Sequence, residues 1–242
     1  MNTRESHPQP GVRKRRRFGP QRSDLLDKQA ARGHRHFNIW YHYSARLQRD
    51  LIFSSDAEFD HFCWLEGAPQ VLTYELQPPP VTVAVGADVH RTQFDARVEF
   101  RNQPAELREV KESEEELSVR EEHQREAQTI AAERAGFVYR RITRVDLDAQ
   151  RQLIHNWRRA LAFLAAARHL VLSPFRDELM RSFRSQPRMK VQDLLRGTDP
   201  ALQSIYLAAC FSALQAHLLT SDLDRAPLCM ATWLTCEEAP RD

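Results

Sequence analysis

The spacing of hydrophobic and polar positions marks the first element of the chain. In "SSDAEFDHFCWLE", Phe59, Phe62 and Leu65 recur at helical spacing, as expected when one face of a helix is buried. Ser55 precedes this run and Glu58 stands three residues later, which is the spacing of an N-terminal capping box. We therefore predict a helix that begins directly after Ser55.

Four short apolar runs follow, and they change the period from helical to extended. They cover residues 70–77, 81–87, 91–100 and 106–112 and are rich in β-branched and aromatic residues. Proline-containing stretches separate three of them, as is typical of the turns between strands. This pattern predicts a meander of four strands.

The helical period then returns. Residues 118–136 predict a helix that ends at Gly136, residues 137–143 predict a fifth strand, and residues 148–171 predict another helix. The order of helix, four strands, helix, strand and helix indicates a mixed sheet flanked by helices. The predicted fold class is α/β.

A domain boundary is predicted at Ser173 and Pro174. Beyond it, a long apolar helix over 200–216 and a final hairpin that turns near Asp222 are typical of a small winged-helix domain. We thus predict three parts: a flexible basic arm over residues 1–23, an α/β domain over 24–172, and a winged-helix-like domain over 173–242.

The apolar stretch between Asp199 and Asp222 contains no charged residue. Pro200 opens it, and glutamine, serine and histidine interrupt it, so it predicts a buried helix rather than a membrane span. The four cysteines show no C-x-x-C spacing and the N-terminus lacks an apolar signal region. We expect a cytoplasmic protein with reduced thiols and no membrane partner.

Charge is concentrated at the N-terminus. Residues 1–50 contain twelve Lys/Arg and four Asp/Glu, a net charge of +8, whereas the whole chain carries +2. Five basic residues are consecutive: Arg13, Lys14, Arg15, Arg16 and Arg17. Such an arm suits a polyanion, because each neutralised phosphate releases counterions. A solubilising tail or a targeting signal is the alternative.

Polar residues inside two predicted strands suggest chemistry. Alternate side chains of a strand share one face, so Glu109 and Lys111 point the same way while Val110 points into the opposite layer. Asp95 stands on the preceding run. If the two strands pair, the three polar side chains converge at one end of the sheet. The alternative is an edge strand with a solvated outer face.

A hard divalent cation prefers oxygen ligands, which Asp95, Glu109 and the Val110 backbone carbonyl can supply. Lys111 can orient a water molecule or stabilise the charge that develops at phosphorus. This donor set predicts Mg²⁺, with Mn²⁺ as a substitute, in phosphodiester hydrolysis. The spacing D-x13-E-x-K is that of PD-(D/E)xK nucleases.

Residues 45–148 resemble the TnsA family, the endonuclease subunits of heteromeric cut-and-paste bacterial transposons. The resemblance is carried by the stretches "SSDAEFDHFCWLE", "YELQPPP", "FDARVEF", "LREVKE" and "ERAGFVYRRIT". It implies a restriction-endonuclease-like core with a catalytic set of Glu58, Asp95, Glu109 and Lys111. The chain departs from the family at Phe94, where proline is frequent, and carries Glu109 where some members have glutamine.

The resemblance also implies a biological role. Such a subunit nicks the 5′, non-transferred strands at the ends of a double-stranded transposon. A DDE-type transposase, TnsB, cuts the other strands, and an AAA+ regulator, TnsC, docks on the C-terminal domain. The alternatives are a stand-alone restriction or repair nuclease of the same fold, and a catalytically degenerate DNA-binding assembly module.

Three further features of the sequence have residue types found in binding sites. Arg46 and Arg49 precede the first helix and are predicted to contact DNA phosphates, with a solvated face as the alternative. The histidines of "RGHRHFNIWYHY" have no cysteine or carboxylate cluster nearby, so a packed or DNA-facing segment is favoured over a metal site. Gln77 is expected to have a structural role at a strand end.

Overall fold

The computed structural model describes residues 38–86, 88–112 and 119–236. The predicted basic arm over residues 1–23 lies outside these ranges, and so do its five basic residues Arg13, Lys14, Arg15, Arg16 and Arg17.

The described residues form eleven strands and seven helices. The strands are β1 Trp40–Ser44, β2 Arg49–Phe53, β3 Val71–Leu76, β4 Val81–Val85, β5 Asp88–Thr92, β6 Ala96–Phe100, β7 Glu106–Val110, β8 Val138–Ile142, β9 Arg188–Lys190, β10 Thr220–Ser221 and β11 Trp233–Thr235. The helices are α1 Asp56–Gly67, α2 Val119–Arg134, α3 Arg144–Ala149, α4 Arg151–Ala166, α5 Ser173–Ser185, α6 Val191–Leu194 and α7 Pro200–Gln215.

A four-stranded sheet in the order β3-β6-β7-β8 lies at the centre. Its first two pairings are antiparallel, and β7 and β8 run parallel. Val98 and Val110 pack on one face with α1 and α4, whereas Leu107 packs on the other face with Ala127 of α2. The prediction of a mixed α/β arrangement is therefore confirmed.

The predicted four-strand meander is wrong. Residues 91–100 form two strands, β5 and β6, and β4 and β5 pair only with each other in a separate hairpin. Phe94 and Ala96 would face the same side of a continuous strand. Instead Phe94 packs in the α2-side cluster and Ala96 in the α1-side cluster. The chain breaks between them, and Asp95 occupies the break.

An N-terminal hairpin of β1 and β2 completes the α1-side core. The Trp40 ring stacks on Phe59 of α1 with centroids 4.4 Å apart and planes 8° apart. His42 is half-buried, and one of its ring nitrogens lies 2.9 Å from the Tyr43 carbonyl oxygen. This part of the histidine-rich segment is therefore packed, while His34 and His36 lie outside the described residues.

Helix α1 packs against α4 at a glycine. A Cβ atom added at Gly67 would lie 2.1 Å from Cδ1 of Trp157, whose side chain is buried. That distance is far inside van der Waals contact, so this approach of the two helices requires glycine. The predicted helix over residues 148–171 is observed as two, α3 and α4.

The C-terminal third has its own hydrophobic cluster, which includes Leu179, Phe183 and Leu234. A small antiparallel sheet in the order β10-β11-β9 lies beside it. Helix α7, predicted over 200–216, supplies Ala213 to this cluster and Phe211 to the central one. One helix therefore belongs to two cores, and the domain boundary at residue 173 stays a prediction.

Asn156 of α4 ties the loop after β10 to the central core. Its Nδ2 donates to the carbonyl oxygens of Leu223 at 2.8 Å and Ala226 at 2.7 Å, and its Oδ1 accepts from Leu228 N at 2.7 Å. The Asn156 side chain is fully buried. One side chain thus satisfies three backbone groups of a loop about 70 residues away.

In the described part of the chain, no helix is long and apolar enough to cross a membrane. The four cysteines, all within the described ranges, are free thiols. Cys63 and Cys210 are buried, Cys236 is half-buried and Cys229 is exposed.

Candidate active site

Asp95 is fixed by three hydrogen bonds at the end of the central sheet. Its backbone N–H donates to the Arg108 carbonyl oxygen at 2.9 Å, and its carbonyl oxygen accepts from Gln77 N at 2.8 Å. Its Oδ2 accepts from the backbone N–H of Val110 at 2.7 Å. Gln77 adopts a positive φ of 49° to make its bond. The loop therefore presents the Asp95 carboxylate to the end of β7.

Glu109 and Lys111 share one face of the chain, as predicted. Lys111 Nζ lies 2.8 Å from Glu109 Oε1, and Gln128 Nε2 of α2 donates to Glu109 Oε2 at 2.7 Å. Val110 packs in the cluster on the α1 side. The alternative of a solvated strand face is wrong for Glu109, because its side chain is only 8% exposed.

The electrostatics of Asp95 connect all four predicted catalytic residues. Burial raises the pKa of Asp95 from 3.8 to about 7, and the negative charge of Glu109 adds to the rise. The hydrogen bond from Val110 opposes it, the charge of Glu58 raises the pKa further, and Lys111 lowers it. Glu58, Glu109 and Lys111 therefore lie close enough to Asp95 to act on its charge, as expected of a converging site.

Glu58 has a structural partner as well as a place at the site. Ser55 Oγ accepts from Glu58 N at 3.1 Å, which confirms Ser55 as the N-cap of α1. The Glu58 carboxylate accepts from Ser54 N at 3.0 Å and Ser54 Oγ at 2.9 Å. The reciprocal bond of the predicted capping box thus comes from Ser54 instead of Ser55.

A buried amide supports Glu109, and the sequence reasoning missed it. Gln128 is 1% exposed, and its Oε1 accepts a hydrogen bond from Tyr139 OH at 3.0 Å. Burial and the charge of Glu109 raise the pKa of Tyr139 to about 12, so the hydroxyl remains a donor. The available signal was a glutamine on the apolar face of α2, next to Ala127.

The donor atoms suit a divalent cation. Residues in a strand direct their N–H and C=O groups to the same side, so the Val110 carbonyl faces the side of β7 from which Asp95 approaches. The repulsion between Asp95 and Glu109 that raises the Asp95 pKa is the kind that a bound cation relieves. Within the described ranges, no group of three or more His, Cys, Asp or Glu side chains is placed to hold a metal. The predicted donor set of Asp95, Glu109 and the Val110 carbonyl would need water molecules to complete the coordination of a cation.

The two arginines predicted to contact DNA differ in their surroundings. Arg46 is half-buried and donates to the carbonyl oxygens of Leu65 at 3.2 Å and Gln215 at 2.9 Å. Its guanidinium therefore joins the ends of α1 and α7. Arg49 lies in β2 and is exposed. DNA contact by either arginine stays a prediction.

No protein-family model matches the chain, and a comparison with characterised proteins finds no match. A function for this chain is therefore proposed from the chemistry of its own residues and from the motif resemblance.

Proposed function

We propose that the protein is a metal-dependent DNA endonuclease whose catalytic residues are Asp95, Glu109, Lys111 and Glu58. One observation carries the proposal: the half-buried Asp95 carboxylate accepts a hydrogen bond at 2.7 Å from the N–H of Val110, which stands between Glu109 and Lys111 in the chain, and its pKa is raised to about 7 by burial and by the charge of Glu109. A structural ion pair would lower the pKa of its carboxyl. A raised pKa beside a second carboxylate is typical of a functional site.

Each residue of the site has a distinct role in hydrolysis. Asp95, Glu109 and the Val110 carbonyl would hold the cation, and Glu58 would join them on release of its hydrogen bonds from Ser54. A bound Mg²⁺ or Mn²⁺ supplies Lewis-acid activation of a phosphodiester and lowers the pKa of bound water. Lys111 is a cation and cannot be a metal ligand. Its ammonium group would orient the attacking water and stabilise the negative charge that develops on the phosphoryl oxygens.

We also propose a restriction-endonuclease-like core and a winged-helix C-terminal domain. A sheet in the order β3-β6-β7-β8, with helices on both faces and the acidic residues at one end, supports a restriction-endonuclease-like core. Helices α5 and α7 beside the sheet of β9, β10 and β11 support a winged-helix C-terminal domain. Function is argued from the site, since one fold hosts many activities.

The biological assignment rests on the motif resemblance. On this basis we propose that the enzyme nicks the 5′ strands at transposon ends in the bacterial cytoplasm. A TnsB-like transposase would cut and join the other strands, and a TnsC-like ATPase would dock on the C-terminal domain. A stand-alone nuclease of the same fold would instead cut DNA without any partner.

A strand-specific nicking assay tests the proposal. Purified chain is incubated with end-containing double-stranded DNA and Mg²⁺, with and without the partner transposase. We expect 5′-strand nicks in the presence of the partner and none with Asp95→Ala, while Asp88→Ala, an exposed position on β5, behaves like wild type. Cleavage without any partner favours the stand-alone nuclease, and undiminished cleavage by Asp95→Ala overturns the proposal.

A further inference from the structure

A cleft beside the candidate active site has a composition suited to phosphate groups. It lies between strand β5 and helix α2 and has a volume of 770 Å³, within the range of about 300–1,000 Å³ that is usual for ligand sites. Its lining residues are His90, Arg91, Thr92, Gln93, His123, Gln124 and Ala127. None of these described residues carries a carboxylate, whereas the cleft beside α3 and α4 contains Asp60 and Asp148.

Two glutamines connect this cleft with the catalytic residues. Gln124 lines both the cleft and the pocket that contains Glu109, and its Nε2 lies 3.5 Å from Glu109 Oε1. Gln93 stands two residues before Asp95, and its carbonyl oxygen accepts from Gln128 Nε2 at 3.4 Å. The cleft therefore opens beside the atoms that would hold the metal.

The walls of the cleft are fixed by packing. Val83 of the β4–β5 hairpin and Phe94 after it are buried in one cluster with Ala127 of α2. The His90 and His123 rings approach each other from the hairpin and from the helix, with centroids 6.4 Å apart. A hairpin that pairs with no other strand in the described sheets is thus held at a set distance from α2.

The lining offers donors to an anion. Arg91 and His123 are exposed, and the two glutamine amides supply neutral N–H groups. Thr92 is buried, and its Oγ1 has no hydrogen-bond partner among the described residues. That hydroxyl oxygen is closed to solvent, so the donors open to an anion are those of the exposed residues Arg91, Gln93, His123 and Gln124.

We propose that this cleft, which we name the β5–α2 cleft, binds the sugar-phosphate backbone of the strand that is cut, next to the scissile phosphate. The inference rests on the proposed endonuclease function and assigns the path of its substrate. Arg91 contacts phosphate directly, and His123 contacts it from the opposite wall. Gln93 and Gln124 lie where the backbone passes from the cleft to the metal ligands.

Binding of the full-length chain to end-containing duplex DNA tests the proposal, with Ca²⁺ in place of Mg²⁺ to reduce cleavage. The variant is Arg91→Ala with His123→Ala, and the control pair is Arg184→Ala with His169→Ala, both exposed and outside the cleft. We expect the cleft variant to bind about tenfold more weakly and to lower the slope of log affinity against log salt by about one. The control pair should match wild type, and thermal unfolding should be equal in all three proteins.

A second measurement locates the DNA. A photo-crosslinking amino acid placed at residue 91 should react with nucleotides within a few positions of the nick on the cleaved strand. With Mg²⁺, the variant should need more DNA than wild type for half-maximal nicking, whereas the control pair should need the same amount as wild type.

Equal affinity and equal salt dependence of the cleft variant and wild type would overturn the cleft assignment, as would an equal loss in the control pair. A wild-type chain that binds no DNA would overturn both proposals. A chain that binds DNA through the cleft yet nicks nothing would overturn the endonuclease and leave the binding surface in place.

Discussion

The backbone N–H of Val110 donates to Asp95 Oδ2 over 2.7 Å and so joins a loop residue to the strand that carries Glu109. Asp95 is consequently oriented by the main chain of β7, and no side chain is needed for that bond. Because the bond stabilises the charged carboxylate, it opposes the burial that raises the Asp95 pKa.

The raised pKa of Asp95 predicts a specific dependence of stability on pH. The pKa rises from 3.8 to about 7 on folding, so the folded protein favours the neutral carboxyl. This contribution to stability is complete below pH 3.8, falls as the pH rises through about 7, and is absent above it. Asp95→Asn removes the charge, so the metal-free variant should be more stable than wild type at pH 8, by up to about 4 kcal/mol.

Urea unfolding with a chelator present, at pH 4.5 and pH 8, measures this difference. The stability gained by Asp95→Asn over wild type should be much smaller at pH 4.5 than at pH 8. Asp88→Asn, at an exposed position on β5, should gain no stability at either pH. Mg²⁺ should stabilise wild type at pH 8 more than at pH 4.5, because binding at the lower pH must first displace the Asp95 proton. Equal stability of Asp95→Asn and wild type at pH 8 would contradict the raised pKa.

Replacement of Lys111 and replacement of Glu109 should have different effects on metal binding and nicking. Lys111→Ala should retain divalent-metal binding and lose nicking by about a hundredfold or more, the scale on which one electrostatic stabiliser acts. Glu109→Ala should lose both, because it removes a ligand. Since Lys111 lowers the Asp95 pKa, residual nicking by Lys111→Ala should also require a higher pH.

Calorimetry measures the metal binding of these two variants, and nicking is measured with the partner present. Arg134→Ala, an exposed position at the end of α2, serves as the control for loss of a cation. Nicking by Lys111→Ala at the wild-type rate would show that the lysine has no part in catalysis.

Gln128 is predicted to be a positioning residue for Glu109. Gln128→Ala removes the 2.7 Å donor to Glu109 Oε2, so metal affinity should fall about tenfold, as it does when a partner of a metal ligand is lost. Tyr139→Phe removes only the bond that orients the amide and should have a smaller effect in the same direction. Gln128→Glu should be worse than Gln128→Ala, because a second carboxylate then faces Glu109.

Metal titrations at several pH values separate positioning from a simple loss of stability. A positioning role shifts the pH dependence of metal binding, whereas a packing role lowers the unfolding temperature and leaves the metal affinity of the folded protein unchanged. The second pattern in Gln128→Ala would contradict the assignment.

Asn156 is predicted to hold the C-terminal loop on the central core. Asn156→Ala leaves two carbonyl groups and one N–H without their partner, and each buried unsatisfied group costs about 1–3 kcal/mol. The free energy of unfolding should therefore fall by about 3 kcal/mol or more, whereas His155→Ala, an exposed neighbour on α4, should have little effect.

Denaturant unfolding followed by both fluorescence and circular dichroism measures that loss. It also examines the boundary at residue 173: two separate transitions support independent domains, and one shared transition indicates a single cooperative unit. Wild-type stability in Asn156→Ala would contradict the role given to its three bonds.

The start of α1 and the placement of Glu109 and Lys111 on one strand face could be predicted because they depend on local patterns. Ser55 marks the start of α1, and the alternation from Glu109 to Lys111 assigns both side chains to one face of β7. The break at Asp95 could not be predicted in this way, because the period of residues 91–100 is compatible with one strand. Only tertiary packing, which buries Phe94 on the opposite side from Ala96, decides it. Gln128 of α2 was missed for a related reason, since its partners Glu109 and Tyr139 lie on strands β7 and β8.

The glycine at the end of α1 has a consequence for genetics. Gly67 touches the Trp157 indole at one end of the helix, and Glu58 stands nine residues earlier, about 14 Å along the axis. The Trp157 indole is buried and cannot shift to make space. A larger residue at position 67 would therefore push α1 away from α4 and move Glu58 with the helix. A random screen for inactive alleles should therefore recover Gly67 substitutions together with the acidic residues, although this glycine would contact neither metal nor DNA.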